Sequence, residues 1–99
     1  MALQIIGHHI EVSDQIKNYI EREISRLDKF FDGIINAEVI LRQDTKHNHL
    51  KEAEVIVKVY EHRLTAKAND PDLLKAFDKS LTKVERQLIK FKDKLKSHR

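Results

Sequence analysis

Six cations, Lys75, Lys79, Lys83, Arg86, Lys90 and Lys94, recur three or four residues apart towards the end of the chain. At helical pitch they fall along one side of a single helix. Asp93 stands at the margin of that row, and Asp78 and Glu85 lie well round the side, so no carboxylate neutralises it. Like charges at i and i+4 repel by about 0.2–0.5 kcal/mol per pair, and a helix selected only for stability would interleave glutamates. A long anion with regularly spaced phosphates would offset the repulsion. The chemistry on offer is therefore phosphate contact along a nucleic-acid backbone. Arg86, beside Gln87, adds a planar fork that can hold one phosphate through two hydrogen bonds. A shorter set, Arg22, Arg26 and Lys29, repeats the pattern earlier in the chain, with Glu21 and Asp28 to one side.

Other chemistry finds little to work with. His8-His9 and His47-Asn48-His49 could suggest a metal, but adjacent residues of a strand point to opposite faces and no thiol or carboxylate completes a set at ligand spacing. Two glycines cannot make a glycine-rich phosphate loop. Neither Ser13 nor Ser25 has a base positioned to activate it. The sequence thus predicts no enzyme, no metal, no cofactor and no small-molecule substrate.

The kind of nucleic acid follows from what is missing. The chain has no Trp, no aromatic pair alternating along a strand and no K-G-F-G-F-V string, so bases are not expected to stack on the sheet. It also lacks a GXXG loop and zinc-finger spacing. Lysine and arginine rows position a backbone without reading its sequence, and folded RNA, with phosphates crowded on an irregular surface, fits them best.

The elements that must carry these rows are legible from periodicity. Leu3 and Ile5 alternate with Gln4 in a short strand ending at Gly7. Ser13 caps a helix over 14–31 whose apolar face is Ile16, Ile20, Ile24, Leu27 and Phe31, and Asp32-Gly33 stops it. Ala37, Val39 and Leu41 define a second strand. A polar loop follows over 44–49, then Ala53, Val55, Val57 and Val59 in a third strand. After a turn at Glu61-His62, Leu64, Ala66 and Ala68 form a fourth. Asp70 is read as the cap of the last helix, with Pro71 at its first position and Asp72 favouring its dipole. That helix, over 70–99, carries Leu74, Phe77, Leu81, Val84, Leu88, Phe91 and Leu95 on its apolar stripe. The predicted class is α+β: a β-α-β-β-β-α two-layer sandwich, two helices on one face of a four-stranded sheet, with the first two strands parallel. Both basic rows would then point outward and flank one groove. Ile6, Ile40, Ile56 and Tyr60 would lie on the opposite sheet face.

Ninety-nine residues fit one domain, 1–99, large enough to bury roughly 60% of its unfolded surface. The chain has no cysteine, no apolar run near the ~20 residues that span a bilayer, and an opening, MALQIIGHH, unlike a signal peptide. A cytoplasmic protein without membrane attachment is expected. The net charge is +3, but residues 71–99 hold nine Lys/Arg against four Asp/Glu, and residues 1–70 hold ten against twelve. Basic character concentrated in one element is what a nucleic-acid surface requires.

Several segments in order, I-x-G-H-H from Ile5 to His9, V-S at Val12-Ser13, R-L-D-K-F-F-D from Arg26 to Asp32, D-L-L-K-A-F-D from Asp72 to Asp78 and K-V-E-R-Q-L-I-K-F-K-D-K-L-K from Lys83 to Lys96, resemble the ribosome hibernation promoting factors, also called ribosomal subunit interface or sigma-54 modulation proteins. The resemblance runs over essentially the whole chain. It implies a fold like double-stranded-RNA-binding domains. It also implies binding to the small ribosomal subunit, on rRNA and beside neighbouring ribosomal proteins, in the mRNA/tRNA channel near the decoding centre. There such proteins inhibit translation and store idle ribosomes, in many bacteria as ribosome dimers, in stationary phase or under stress. By resemblance, Arg26, Lys29, Lys83, Arg86, Lys90 and Lys94 match basic family positions; Glu23 stands where the family usually has a cation, and Leu74 where Tyr is common. The length is that of the short form, which in some bacteria works with a second ribosome modulation factor. Two other readings are a protein–protein module that regulates a transcription factor, using the Ile6/Ile40/Ile56 side, and a general binder of double-stranded RNA.

Overall fold

The computed structural model describes residues 1–43, 46 and 49–97, with side chains to Lys94. Its elements are β1 (Ala2–His8), α1 (Asp14–Phe30), β2 (Asn36–Gln43), β3 (Lys51–Val59), β4 (His62–Asp70) and α2 (Leu73–Ser97). The expected β-α-β-β-β-α order holds. So does the sheet, with strands in the order β1-β2-β3-β4, β1 parallel to β2 and the other two pairs antiparallel. Most of the loop expected over 44–49, the side chain of Leu95, and residues 98–99 lie outside the described residues.

One sheet face is apolar by strict alternation. Ala37, Val39 and Leu41 from β2 and Ala53, Val55, Val57 and Val59 from β3 are all buried, and Leu3, Ile5, Leu64 and Ala66 pack at the margins. Ile20, Ile24 and Leu27 of α1 and Phe77, Leu81, Val84 and Leu88 of α2 join the same core, so both helices lie on that face. α2 crosses β3 and β4. Its buried stripe is wider than periodicity alone suggested: Leu73, Ala76 and Ser80 are buried, whereas Leu74 is only half-buried. Small Ala76 and Ser80 let the helix approach the sheet closely, and the Ser80 hydroxyl donates to the carbonyl of Ala53 in β3.

Helix termini follow local hydrogen bonding. Ser13 Oγ accepts from the Ile16 amide at 3.2 Å, as its N-cap position requires. The far end of α1 differs from expectation. Phe31, in extended conformation, closes the helix by donating its amide to the Leu27 carbonyl and turns its ring into the core. No left-handed glycine is involved, because Gly33 has an ordinary φ. At α2 the cap is Asp72 and not Asp70: Asp72 Oδ1 accepts from the amides of Leu74 (2.9 Å) and Lys75 (3.3 Å). Asp70 ends β4 and accepts from the Asp72 amide at 2.9 Å, so Pro71 sits in the turn and not in the helix.

Gly7 is required by close approach. A Cβ there would lie 2.7 Å from the Ile10 carbonyl oxygen and 2.8 Å from a Val12 methyl, where the chain leaves β1 for α1. On the open sheet face Ile6 is paired with Ile40, and both are half-buried, as is Ile56. Tyr60 does not share that face. It belongs to the turn between β3 and β4.

Candidate nucleic-acid interface

All nine residues of the two basic rows, Arg22, Arg26, Lys29, Lys75, Lys79, Lys83, Arg86, Lys90 and Lys94, are exposed. α2 is 25 residues long, about 37 Å at 1.5 Å per residue, and successive cations are about 4.5–6 Å apart along its axis. The apolar stripe fixes the rotation of α2 on the sheet, and that rotation carries the cations to the side facing β4. Lys79, Lys83 and Arg86, with Asn69 and Thr82, line a shallow groove between α2 and the edge strand. Lys83 Nζ donates to the Lys67 carbonyl at 2.9 Å, and Gln87 Nε2 to the Thr65 carbonyl at 2.9 Å. α2 thereby occupies edge carbonyls that would otherwise invite another strand. β4 itself contributes exposed Arg63 and Lys67. They alternate with Leu64 and Ala66 and so project from the open sheet face, where Arg63 lines a hollow with Glu38, Ile56 and Lys58.

The single groove walled by both rows is not what the fold builds. Between the helices the surface is lined by Glu23, Arg26, Leu27, Phe30, Glu85 and Ile89. The flank that α2 turns to α1 carries Asp78 and Glu85, because the basic row takes the opposite flank. Tyr19 of α1 donates to Asp78 Oδ1 at 2.7 Å across this seam. Arg26 also pairs with Glu23 at 3.3 Å, so Glu23 partly neutralises it. Arg22 lies over the Tyr19 ring at 5.8 Å. The two rows share an outward-facing layer but are separated by a mixed-charge seam.

Within the α2 row, charge is only locally compensated. Lys79 pairs with Asp70 at 2.8 Å, and this hydrogen bond, with one from the Asp72 amide, holds the Asp70 carboxyl below its ordinary range. Arg86 and Lys90 make no ion pair with the described residues. Among those residues no three His, Cys, Asp or Glu side chains gather as a metal site, and no helix is long and apolar enough to cross a membrane.

A family model described as "Sigma 54 modulation protein / S30EA ribosomal protein" matches residues 3–96. The chain belongs to this family. Among the relatives of this chain is the ribosome hibernation promoting factor of Azotobacter vinelandii, 35% identical over 94 residues that cover 95% of this chain and 85% of that one. Two solved structures share its fold. The ribosomal subunit interface protein of Coxiella burnetii superposes with a TM-score of 0.85 at 26% identity, covering 94% of this chain and 99% of that one. The Thermus thermophilus Protein Y N-terminal domain gives 0.80 at 30% identity, with 92% and 99% covered. Membership of the S30EA family makes the chain a binding protein and not an enzyme, in line with its sequence.

Proposed function

We propose that this chain is a ribosome hibernation factor whose single domain, 1–99, lies against small-subunit rRNA in the mRNA/tRNA channel near the decoding centre. By occupying that channel it inhibits translation and favours storage of idle ribosomes in the cytoplasm, alone or with a second modulation factor. The observation that carries this reading is the exposed cation row of α2, in which Arg86 and Lys90 make no ion pair with the described residues and Lys79, Lys83 and Arg86 converge on one groove. The family and the names of its relatives point to the ribosome as the partner. Arg22, Arg26 and Lys29 make a second, weaker contact, because Glu23 competes for Arg26.

The test is cosedimentation with purified small subunits across a salt series. With about six phosphates engaged, log K falls against log salt with a slope of about −4 to −5. Replacing Lys83, Arg86 and Lys90 together by Ala lowers binding by orders of magnitude at unchanged circular dichroism. Undiminished cosedimentation of that variant would refute the proposal.

A further inference from the structure

At the far end of the sheet from the Asp70 turn, rings from three separate stretches of the chain, Phe31, the Tyr60/His62 turn and Phe91, line one site. Tyr60 and Glu61 form the two-residue turn between the paired residues Val59 and His62, with Glu61 held at a φ of 59°. The His62 ring lies 4.9 Å from that of Phe91 on α2, tilted by 58°. Phe91 lies 6.0 Å from Phe31, the residue that closes α1. With Tyr60 these rings line an apolar notch open to solvent. Tyr60 is 74% exposed, and its ring has no ring partner among the described residues. A side chain so exposed contributes little to the core. Its position at the mouth of an aromatic notch suits it to hold something else.

Two features favour a nucleobase over an apolar protein side chain. The first is continuity with the cation row: Lys90 immediately precedes Phe91, and Lys94 lies one turn further along the same side of α2. A strand whose phosphates follow that row would reach the end of α2 that carries Phe91. The second is polarity at the rim. His62 Nδ1 lies 3.2 Å from the Tyr60 carbonyl. A carbonyl only accepts, so Nδ1 is the donor in this contact. The Tyr60 carbonyl and Glu61 are acceptors at the rim, and Glu61 repels phosphate. Acceptors around an apolar slot match the amino and imino donors of a base, while the phosphates stay outside on the lysines.

We infer that this notch receives one unpaired nucleobase of the RNA that runs along α2, sandwiched by Tyr60 against His62 and Phe91. The inference rests on the RNA-binding reading above and adds a stacking site that lies off the sheet face. Its test uses the full chain bound to small ribosomal subunits. Irradiation at 254 nm, which links stacked bases to aromatic side chains, followed by mass spectrometry yields a nucleotide adduct on Tyr60, His62 or Phe91. Tyr60→Ala weakens binding about tenfold, as expected for loss of one base stack, while the salt slope stays at the wild-type value. Tyr60→Phe retains both adduct and affinity. Unchanged affinity of Tyr60→Ala overturns the inference, and so does a link from the notch to a ribosomal protein in place of RNA. Failure of the cation-row proposal is separately visible, since it appears as a flat salt slope and full binding by the Lys83/Arg86/Lys90 triple variant.

Discussion

Tyr19 Oη donates to Asp78 Oδ1 at 2.7 Å, a hydrogen bond between residues 59 positions apart that ties α1 to α2 across a seam where the helices otherwise meet sparsely. The Tyr19 ring also meets Phe77 edge-on, with centroids 6.1 Å apart. Asp78 spends its charge on this internal contact and so does not stand against the cation row on the opposite flank.

Tyr19→Phe keeps the ring packing and removes the donor, so urea unfolding should show a loss of about 1–2 kcal/mol with little change in RNA affinity. The same hydrogen bond, together with burial, pushes the Tyr19 hydroxyl up to about 12 from an ordinary 10.0. Its folded-state value is the higher one, so the unfolded chain loses this proton first. The stability it contributes is intact below pH 10 and declines from there towards pH 12. Ultraviolet titration should resolve the late ionisation, and Tyr19→Phe should flatten the alkaline loss of stability.

Asp72 and Asp70 are separable by mutation. Asp72→Ala removes the acceptor for two amides of the first turn of α2 and should cost about 1 kcal/mol in thermal or urea unfolding. Asp70→Asn retains an acceptor for the Asp72 amide and should cost less. Equal losses would argue against Asp72 as the cap.

Lys79 is restrained by Asp70, with which it makes an exposed ion pair at 2.8 Å. Asp70→Asn therefore releases a cation next to the groove formed with Lys83 and Arg86. Small-subunit affinity at low salt should rise roughly two- to fivefold, and the salt slope should steepen by about 0.7–0.9. Titrations of both proteins over a salt series would decide it; an unchanged slope would mean that Lys79 does not reach phosphate.

Ser80 is a buried polar side chain of α2 that bonds directly to the β3 backbone at Ala53. Ser80→Ala should lose about 1 kcal/mol with the hydrogen bond. Ser80→Leu should lose about 1–3 kcal/mol or more, because the added carbons push α2 off the sheet. Denaturant midpoints for the two variants give the comparison directly.

Periodicity along the chain was enough to determine six elements, their order, most of the apolar face of each, the Ser13 cap and the exposure of all nine cations. Each of these is local: burial alternates every second residue in a strand and every third or fourth in a helix, whatever the helix or strand packs against. Tertiary structure alone decided what lies beside each flank. A helical wheel gives the angle between the cation row and the apolar stripe but not the neighbour that the row faces. The packing of α2 over β3 and β4 turned Lys79, Lys83 and Arg86 towards the β4 edge and Asp78 and Glu85 towards α1, so a trough expected between the helices became a basic edge and a mixed-charge seam. The same packing brought Phe31, Tyr60, His62 and Phe91 to one notch. The hairpin turn keeps Tyr60 and His62 together, but no spacing rule connects that turn to Phe31 or Phe91, because only the sheet and the helix crossing it set those distances.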